Sequence, residues 1–228
     1  AVRDFVNPGF RIMKDNQFRL MRTFDVKLCS GLPERPWIQA INESGPSFMR
    51  ELYQLWPSAL SSDQTDAITR AALSQPQEAP TIFAPIEGIK EIRSCSVRWV
   101  SDTWIQELLW QYVRQANERG FQVDVHKRSE MQFTEYESRQ GGHYDWHHDV
   151  HWNGQTADDR KLSVTVQLTD GHEYEGGDFE FEELQTNADF RSKGSVLVFP
   201  SYLRHRIRPV TAGTRRALVA WFSGPRWT

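Results

Sequence analysis

Short strand-like runs dominate the second half of this 228-residue sequence and constrain its fold more than any other feature. From residue 121 onward, one run follows another, and Gly, Asn, Asp or Pro separates most of them. Many short strands with turn residues between them are typical of a jelly roll or a barrel. The predicted strands are 121–126, 130–136, 142–150, 162–169, 179–182, 195–199, 205–209 and 215–223.

Helical patterns dominate the first half, after a predicted strand over 18–29. Residues 47–74 are predicted to be helical, with Ser47 capping a first helix, Pro57 interrupting it and Ser61 or Ser62 capping a second. A strand is then predicted over 93–100, followed by a helix over 103–118 that Gly120 would end. The pattern predicts an α+β protein, a jelly-roll core with supporting N-terminal helices.

Length and composition predict a single domain over 1–228, in which 1–92 form an N-terminal extension and helical brace and 93–228 form the strand-rich core. The proline-rich stretch 75–92 is predicted to be a loop, and we expect it to act as a lid. Hydrophobic residues make up 39% of the chain and nine are Trp, which is enough to bury a core.

The net charge and the lengths of the apolar runs limit which partners and which cellular location the sequence predicts. The net charge of -3 shows no basic footprint for nucleic acid, so we do not expect a nucleic-acid partner. Apolar runs are too short to span a membrane, and the start carries no signal-peptide pattern, so a cytoplasmic location is expected. Cys29 and Cys95 are far apart and are expected to be thiols rather than a disulfide.

Histidines and aspartates cluster in the predicted strand 142–150. His143, Asp145, His147, Asp149 and His151 all have odd numbers, so an extended strand would present them on one face. Two His-x-Asp pairs result, and either could bind a metal if a third ligand arrives from elsewhere.

The expected third ligand is His205, which follows the buried-type strand 195–199. Two imidazoles and one carboxylate leave coordination positions open, which suits non-haem Fe(II), although the ligand set alone does not exclude zinc. Arg215 lies ten residues after His205. Its guanidinium could pair with the far carboxylate of a 2-oxoacid that chelates the iron.

Several ordered motifs resemble the prolyl-4-hydroxylase-like branch of the 2-oxoglutarate/Fe(II) dioxygenases, and the resemblance covers 93–224. The motifs are Tyr144-Asp-Trp-His147-His-Asp149, the segment from His205 to Arg215, and Trp221. The resemblance implies a double-stranded β-helix with helices on its larger sheet.

The resemblance also implies roles for individual residues. His147, Asp149 and His205 would hold iron. The second His-x-Asp pair is preferred over the first because Tyr144 stands three residues before His147, as in the family pattern. Arg215 would pair with 2-oxoglutarate, and Tyr136 and Gln167 would also face this cosubstrate, although relatives often have Tyr where Gln167 stands. Tyr144, Arg160 and Trp221 are expected on the catalytic and substrate side.

The function implied is hydroxylation of a C–H bond with Fe(II), 2-oxoglutarate and O2, with release of succinate and CO2 and with ascorbate as reductant. A prolyl residue of a peptide or protein is the expected substrate. The same chemistry on a free amino acid, another small metabolite or a nucleobase is an alternative. A non-catalytic jelly-roll module that binds a metal or ligand is an alternative of another class.

Overall fold

The computed structural model describes residues 52–80, 89–150, 152, 157–184 and 188–227. Residues 50–228 form one compact unit. The predicted strand over 18–29, the Ser47 cap and His151 lie outside the described residues, as do Cys29 and 81–88 of the predicted lid. A single domain over the whole chain therefore stays a prediction.

Two antiparallel sheets build the unit. The major sheet has seven strands, in the order β1-β9-β6-β11-β4-β3 with β7 paired to β11. Its strands are β1 (Gln54–Trp56), β3 (Ser96–Val100), β4 (Ser129–Glu137), β6 (Asp158–Gln167), β7 (Tyr174–Gly176), β9 (Val196–Pro200) and β11 (Val210–Pro225).

The minor sheet has four strands in the order β2-β5-β10-β8. They are β2 (Arg93–Ser94), β5 (His143–His147), β8 (Phe179–Phe181) and β10 (His205–Ile207). Apolar side chains from both sheets pack between them, among them Tyr136, Phe179, Phe181, Phe199 and Ile207. These two sheets form the double-stranded β-helix core that the sequence predicts.

Two helices cover the other face of the major sheet, α1 (Ser62–Leu73) and α3 (Thr103–Ala116). Between them in sequence, the short α2 (Ile89–Ile92) contacts β2 and β5 of the minor sheet. Ser61 caps α1 through a capping box with Gln64, because such a pair satisfies two backbone N–H groups at once. Ile68 of α1 and Leu109 of α3 are fully buried in one cluster with alternate residues of β6 and β11. The supporting helices are thereby confirmed within the described chain.

Four local predictions are wrong. Residues 54–56 are not helical but form β1, which pairs with β9, so the part before residue 93 supplies a strand as well as helices. No strand forms over 121–126. The C-terminal end of α3 runs into a π-helical turn over Asn117–Phe121, and Gln122, not Gly120, adopts the left-handed backbone with φ 51. Residues 89–92 of the predicted loop form α2.

Within the described residues, no helix combines the length and apolar character needed to cross a bilayer.

Candidate metal centre

Three side chains that could ligate a metal meet between the two sheets. His147 ends β5, Asp149 follows it by two residues, and His205 begins β10. Because β5 and β10 pair with His147 opposite His205, the fold brings the three together, and one ligand atom from each lies within 4.8 Å of the others. Among the residues that the structure describes, this is the one such group of His, Cys, Asp and Glu.

Both imidazoles present Nε2 to this centre. Nδ1 of His147 lies 2.7 Å from the carbonyl oxygen of Asp145, and Nδ1 of His205 lies 2.9 Å from that of Leu203. A carbonyl only accepts, so each Nδ1 donates a proton to it, and Nε2 is the ring nitrogen left to face Asp149. The two Nε2 atoms lie 3.8 Å and 3.6 Å from Asp149 oxygens.

The protonation states suit a cation. Burial, reinforced by the neighbouring His205, lowers the pKa of His147 to about 3, so its imidazole is neutral. Burial alone would raise the pKa of Asp149, but His205, His147 and the hydrogen bond from Ser163 outweigh it and lower that pKa overall. Ser163 donates to Asp149 Oδ2 at 2.6 Å and also contacts the hydroxyl of Ser201 at 2.9 Å.

An irregularity in β5 decides which of its side chains face the centre. The three residues from His205 to Ile207 in β10 lie opposite the four residues from Tyr144 to His147 in β5, which is a β-bulge. Tyr144 and His147 therefore lie on the same side, with their rings stacked at 3.5 Å and 10°. The prediction that all odd-numbered residues of 142–150 share one face is wrong for this reason.

His143 and Asp145, the first His-x-Asp pair, contact backbone groups. Both ring nitrogens of His143 lie near backbone carbonyls, 2.7 Å from that of Gly141 and 3.0 Å from that of Glu91. Asp145 is exposed and accepts from the backbone of Trp146. His148 is also exposed and contacts the ring of Trp152.

Arg215 lies deep in the same pocket. Its side chain is 2% exposed, and Nε makes no hydrogen bond. Within the described part of the chain no carboxylate lies within ion-pair distance of its guanidinium. The predicted face of β11 is confirmed, because Arg215, Ala217, Val219 and Trp221 all line this pocket while Arg216 turns away to Glu135.

Tyr136 and Gln167 lie near Arg215. Tyr136 is directly opposite Arg215 in the sheet, and its ring centre is 5.7 Å from the guanidinium carbon. Burial raises the pKa of Tyr136, so its hydroxyl keeps its proton. Gln167 lines a small adjoining cavity with Arg215, and its Nε2 donates to Thr169 and to the Tyr174 hydroxyl while Oε1 has no partner.

Arg160 packs against Trp221 at the boundary between the pocket and a neighbouring cleft. The Arg160 guanidinium carbon lies 3.8 Å from the Trp221 ring centre. Arg160 reaches past Trp221 to Glu130, to which it donates at 2.7 Å and 3.1 Å. Trp221 lines the metal pocket and its buried Nε1 has no partner, whereas Arg160 and Glu130 border a neighbouring cleft of 480 Å³.

Sequence reasoning missed several residues of the pocket wall. Arg93 is 5% exposed and stacks 4.5 Å from the Tyr144 ring centre. Gln132 and Thr134 face the pocket from β4, and Phe179 packs against His205 with ring centres 5.5 Å apart. The alternation of Gln132, Thr134 and Tyr136 in the predicted strand 130–136 was a usable signal. No local pattern marks Arg93, because its partners are distant in sequence.

Residues 131–223 match the model of the 2OG-Fe(II) oxygenase superfamily. A PKHD-type hydroxylase of Synechococcus sp. (strain CC9311) is 38% identical over 84 residues, which cover 36% of this chain and 37% of that protein. A PKHD-type hydroxylase of Gloeothece citriformis is 35% identical over 122 residues, 51% of this chain and 54% of the relative. The chain thus spans only about a third to a half of the length of these relatives.

Solved structures share the fold. A prolyl hydroxylase from Trichoplax adhaerens, in complex with a hypoxia inducible factor peptide fragment, has a TM-score of 0.61 and 15% identity, with 92% of this chain and 94% of that chain covered. The viral collagen prolyl hydroxylase of Paramecium Bursaria Chlorella virus-1 has a TM-score of 0.57 and 18% identity, with 76% and 97% covered. The family match includes the clustered His147, Asp149 and His205 together with Arg215, so residues 131–223 are similar to the 2OG-Fe(II) oxygenase superfamily, and the described unit shares the fold of the prolyl hydroxylases.

Proposed function

We propose that this chain is an Fe(II)- and 2-oxoglutarate-dependent dioxygenase that hydroxylates a prolyl residue of a peptide or protein, consuming O2 and releasing succinate and CO2. The observation that carries the proposal is Arg215, a buried guanidinium in the same pocket as the His147, Asp149 and His205 cluster. A buried cation without an anion nearby is costly, so the pocket favours a ligand that brings a carboxylate.

The donor set fits Fe(II). Two imidazoles and one carboxylate match the ligands of non-haem iron oxygenases. His147, Asp149 and His205 would hold the ion, which when bound supplies O2 activation and the oxidation of the C–H bond. The chain's own part is to fix the imidazoles through Nδ1, to hold the carboxylate ionised and to keep the pocket dry.

Different residues line the part of the pocket proposed for 2-oxoglutarate and the part proposed for the substrate. Arg215 and Tyr136 lie at the deep end, where a guanidinium and a protonated phenol can both donate to the far carboxylate of 2-oxoglutarate. Gln167 adjoins this end and would limit the space behind that carboxylate. Trp221, Arg160 and Tyr144 lie toward the other end and would contact the substrate.

Relatives and fold support a prolyl substrate. PKHD-type hydroxylases match part of the sequence, and prolyl hydroxylases share the fold. Trp221, held under Arg160, offers a flat apolar face with a free N–H, which suits a saturated ring next to a carbonyl. A small-molecule substrate is the second candidate, since the cavity next to the cluster is only about 30 Å³.

Succinate formation tests the proposal. Wild type would be incubated in air with Fe(II), ascorbate and 2-oxoglutarate, with and without a panel of proline-containing peptides, beside His147→Ala, Arg215→Ala and His143→Ala. Wild type and His143→Ala should form succinate, and a peptide should stimulate it and gain one oxygen atom by mass. His147→Ala and Arg215→Ala should form none.

Two results would count against parts of the proposal. Activity that survives in His147→Ala but is lost in His143→Ala would move the iron to the first His-x-Asp pair. Succinate without stimulation by any prolyl peptide would favour a small-molecule substrate, whereas no binding of 2-oxoglutarate to wild type would favour a non-catalytic module.

A further inference from the structure

Gln132 carries a hydrogen-bond donor into the metal pocket, and its orientation is fixed by a neighbour. The side chain is 2% exposed, lies on β4 and lines the pocket with the metal cluster. Its Oε1 accepts from Arg93 at 2.6 Å. An amide can turn over, but a guanidinium only donates, so the oxygen must face Arg93 and the NH2 group must point the other way.

The NH2 group of Gln132 has nothing to donate to within the described part of the chain. The residue is almost fully buried, but its amide nitrogen is not one of the side-chain atoms that are both sealed from solvent and unpaired. An amide donor at the pocket wall that has no protein acceptor can donate to a ligand. The amide is therefore set up to bind an oxygen atom of something that enters the pocket.

The position of Gln132 points to the substrate rather than to the cosubstrate. In the sheet, Tyr136 lies opposite Arg215, Gln132 opposite Val219, and Glu130 opposite Trp221. Gln132 thus lies four residues along β4 from the carboxylate-binding end and two residue pairs from the pair of Glu130 and Trp221, and the Trp221 Nε1 is buried without a partner. Gln132 and Trp221 both line the pocket, away from the pair of Tyr136 and Arg215.

The contacts of Arg93 hold it where it fixes the orientation of the Gln132 amide. Its Nε donates to Cys95 Sγ at 3.0 Å, and its guanidinium stacks on Tyr144, which in turn stacks on His147. A guanidinium held at several points cannot swing away, so the Gln132 oxygen stays occupied.

We propose that Gln132 is a specificity-determining residue that donates from Nε2 to a carbonyl oxygen of the substrate, and that Arg93 is the positioning residue that orients it. This inference rests on the proposed function and names its substrate class more closely, as one with a backbone amide carbonyl beside the hydroxylated carbon. A substrate without that carbonyl would leave the amide unpaired and would bind less well.

Gln132→Glu tests the donor with almost no change of shape. The substitution keeps an oxygen for Arg93 but replaces the NH2 group with a second acceptor, which repels a carbonyl. For a prolyl peptide that stimulates the wild type, KM should rise about tenfold or more. Affinities for Mn(II) and 2-oxoglutarate, measured without O2, should be retained.

A matched control exists on the surface. Gln77 also accepts from an arginine, Arg98, at 3.2 Å and 3.3 Å, and this pair is exposed. Gln77→Glu makes the same chemical change beside the same kind of partner and should leave the peptide KM unchanged. Arg93→Met should raise that KM, and Arg93→Lys, which keeps a donor for the Gln132 oxygen, should restore part of the loss.

The outcomes separate this inference from the proposed function. An unchanged peptide KM in Gln132→Glu would overturn the inference alone. A rise in KM with Gln132→Glu that Arg93→Met does not share would overturn the role of Arg93. If no prolyl peptide stimulates succinate formation by the wild type, the peptide substrate is wrong, and the inference falls with it.

Discussion

Arg215 shows at the scale of one residue how a binding site conflicts with stability. Its guanidinium is almost fully buried, and Nε has no partner. Removing a charge from water is costly, and here no carboxylate among the described residues offsets the cost. We infer that the fold keeps this unfavourable charge because a carboxylate ligand pairs with it.

Arg215→Met should therefore separate stability from binding. We expect the free energy of unfolding without ligand to be unchanged or higher by about 1–3 kcal/mol, since the unpaired buried charge is removed. The rise in Tm that 2-oxoglutarate causes in Mn(II)-loaded wild type should disappear. Thermal unfolding with and without both ligands measures this, and a variant that is still stabilised by 2-oxoglutarate would show that Arg215 does not bind it.

Ser163 acts on the metal centre through Asp149. Its hydroxyl donates to Oδ2 at 2.6 Å and is one of the groups that lower the pKa of this carboxyl. Ser163→Ala should reduce Mn(II) affinity about 10–100-fold, which is the usual effect of losing a partner of a metal ligand. Isothermal titration would measure it, with Ser74→Ala, whose hydroxyl donates to Ala71 at the end of α1, as the control. Equal affinities in all three proteins would contradict the role of Ser163.

At the scale of secondary structure, long regular strands were predictable and irregular ones were not. In 162–169 and 215–223, the alternation of side chains correctly predicts which residues of β6 and β11 face the pocket and which face the helices. The prediction succeeds because these strands are long and paired on both sides. In β5 the bulge inserts a residue, so alternation assigns Tyr144 to the wrong face. Gln54–Trp56 lacks any strand signal of its own and becomes a strand because β9 offers an edge.

The turn before β9 depends on close contact with the start of α1. Gly194 has φ +82, and a Cβ there would lie 2.2 Å from the carbonyl oxygen of Leu60. Gly194→Ala should lower the free energy of unfolding by about 2–4 kcal/mol, because it adds a clash with the backbone to a strained conformation. Urea unfolding would measure it.

Gly141 is the control for this prediction. It also has a left-handed backbone, with φ +58, but a Cβ there would meet nothing within 4 Å. Gly141→Ala should therefore cost only about 1 kcal/mol, the backbone strain alone. If both variants lost equal stability, the contact with Leu60 would have no effect.

At the scale of the whole molecule, stability and function depend on different cores. One core lies between the helices and the major sheet, and the other lies between the two sheets around the pocket. Strand and helix patterns within single segments predicted both layers, and the family resemblance predicted the set of His147, Asp149 and His205. The sequence did not predict Arg93 or Gln132, whose roles depend on contacts between β2 and β4.

Substitutions in the two cores should have different consequences. Ile68→Ala, in the helix-side core, should lower the free energy of unfolding by about 2–5 kcal/mol and leave Mn(II) affinity unchanged in the folded protein. Phe179→Leu, beside His205, should cost less stability but weaken Mn(II) binding. Urea unfolding and metal titration would measure the two effects, and a loss of metal affinity in folded Ile68→Ala would contradict this separation.

The central claim is that one pocket binds iron through His147, Asp149 and His205 and binds 2-oxoglutarate through Arg215. The most direct test is an anaerobic titration of 2-oxoglutarate into Fe(II)-loaded protein, followed by the visible charge-transfer absorption of a chelated 2-oxoacid. Wild type should develop this band to saturation at a single site, His205→Ala should not, and Arg215→Met should need far more 2-oxoglutarate. A wild type that binds Fe(II) but never develops the band, or an Arg215→Met variant that titrates like wild type, would contradict the account.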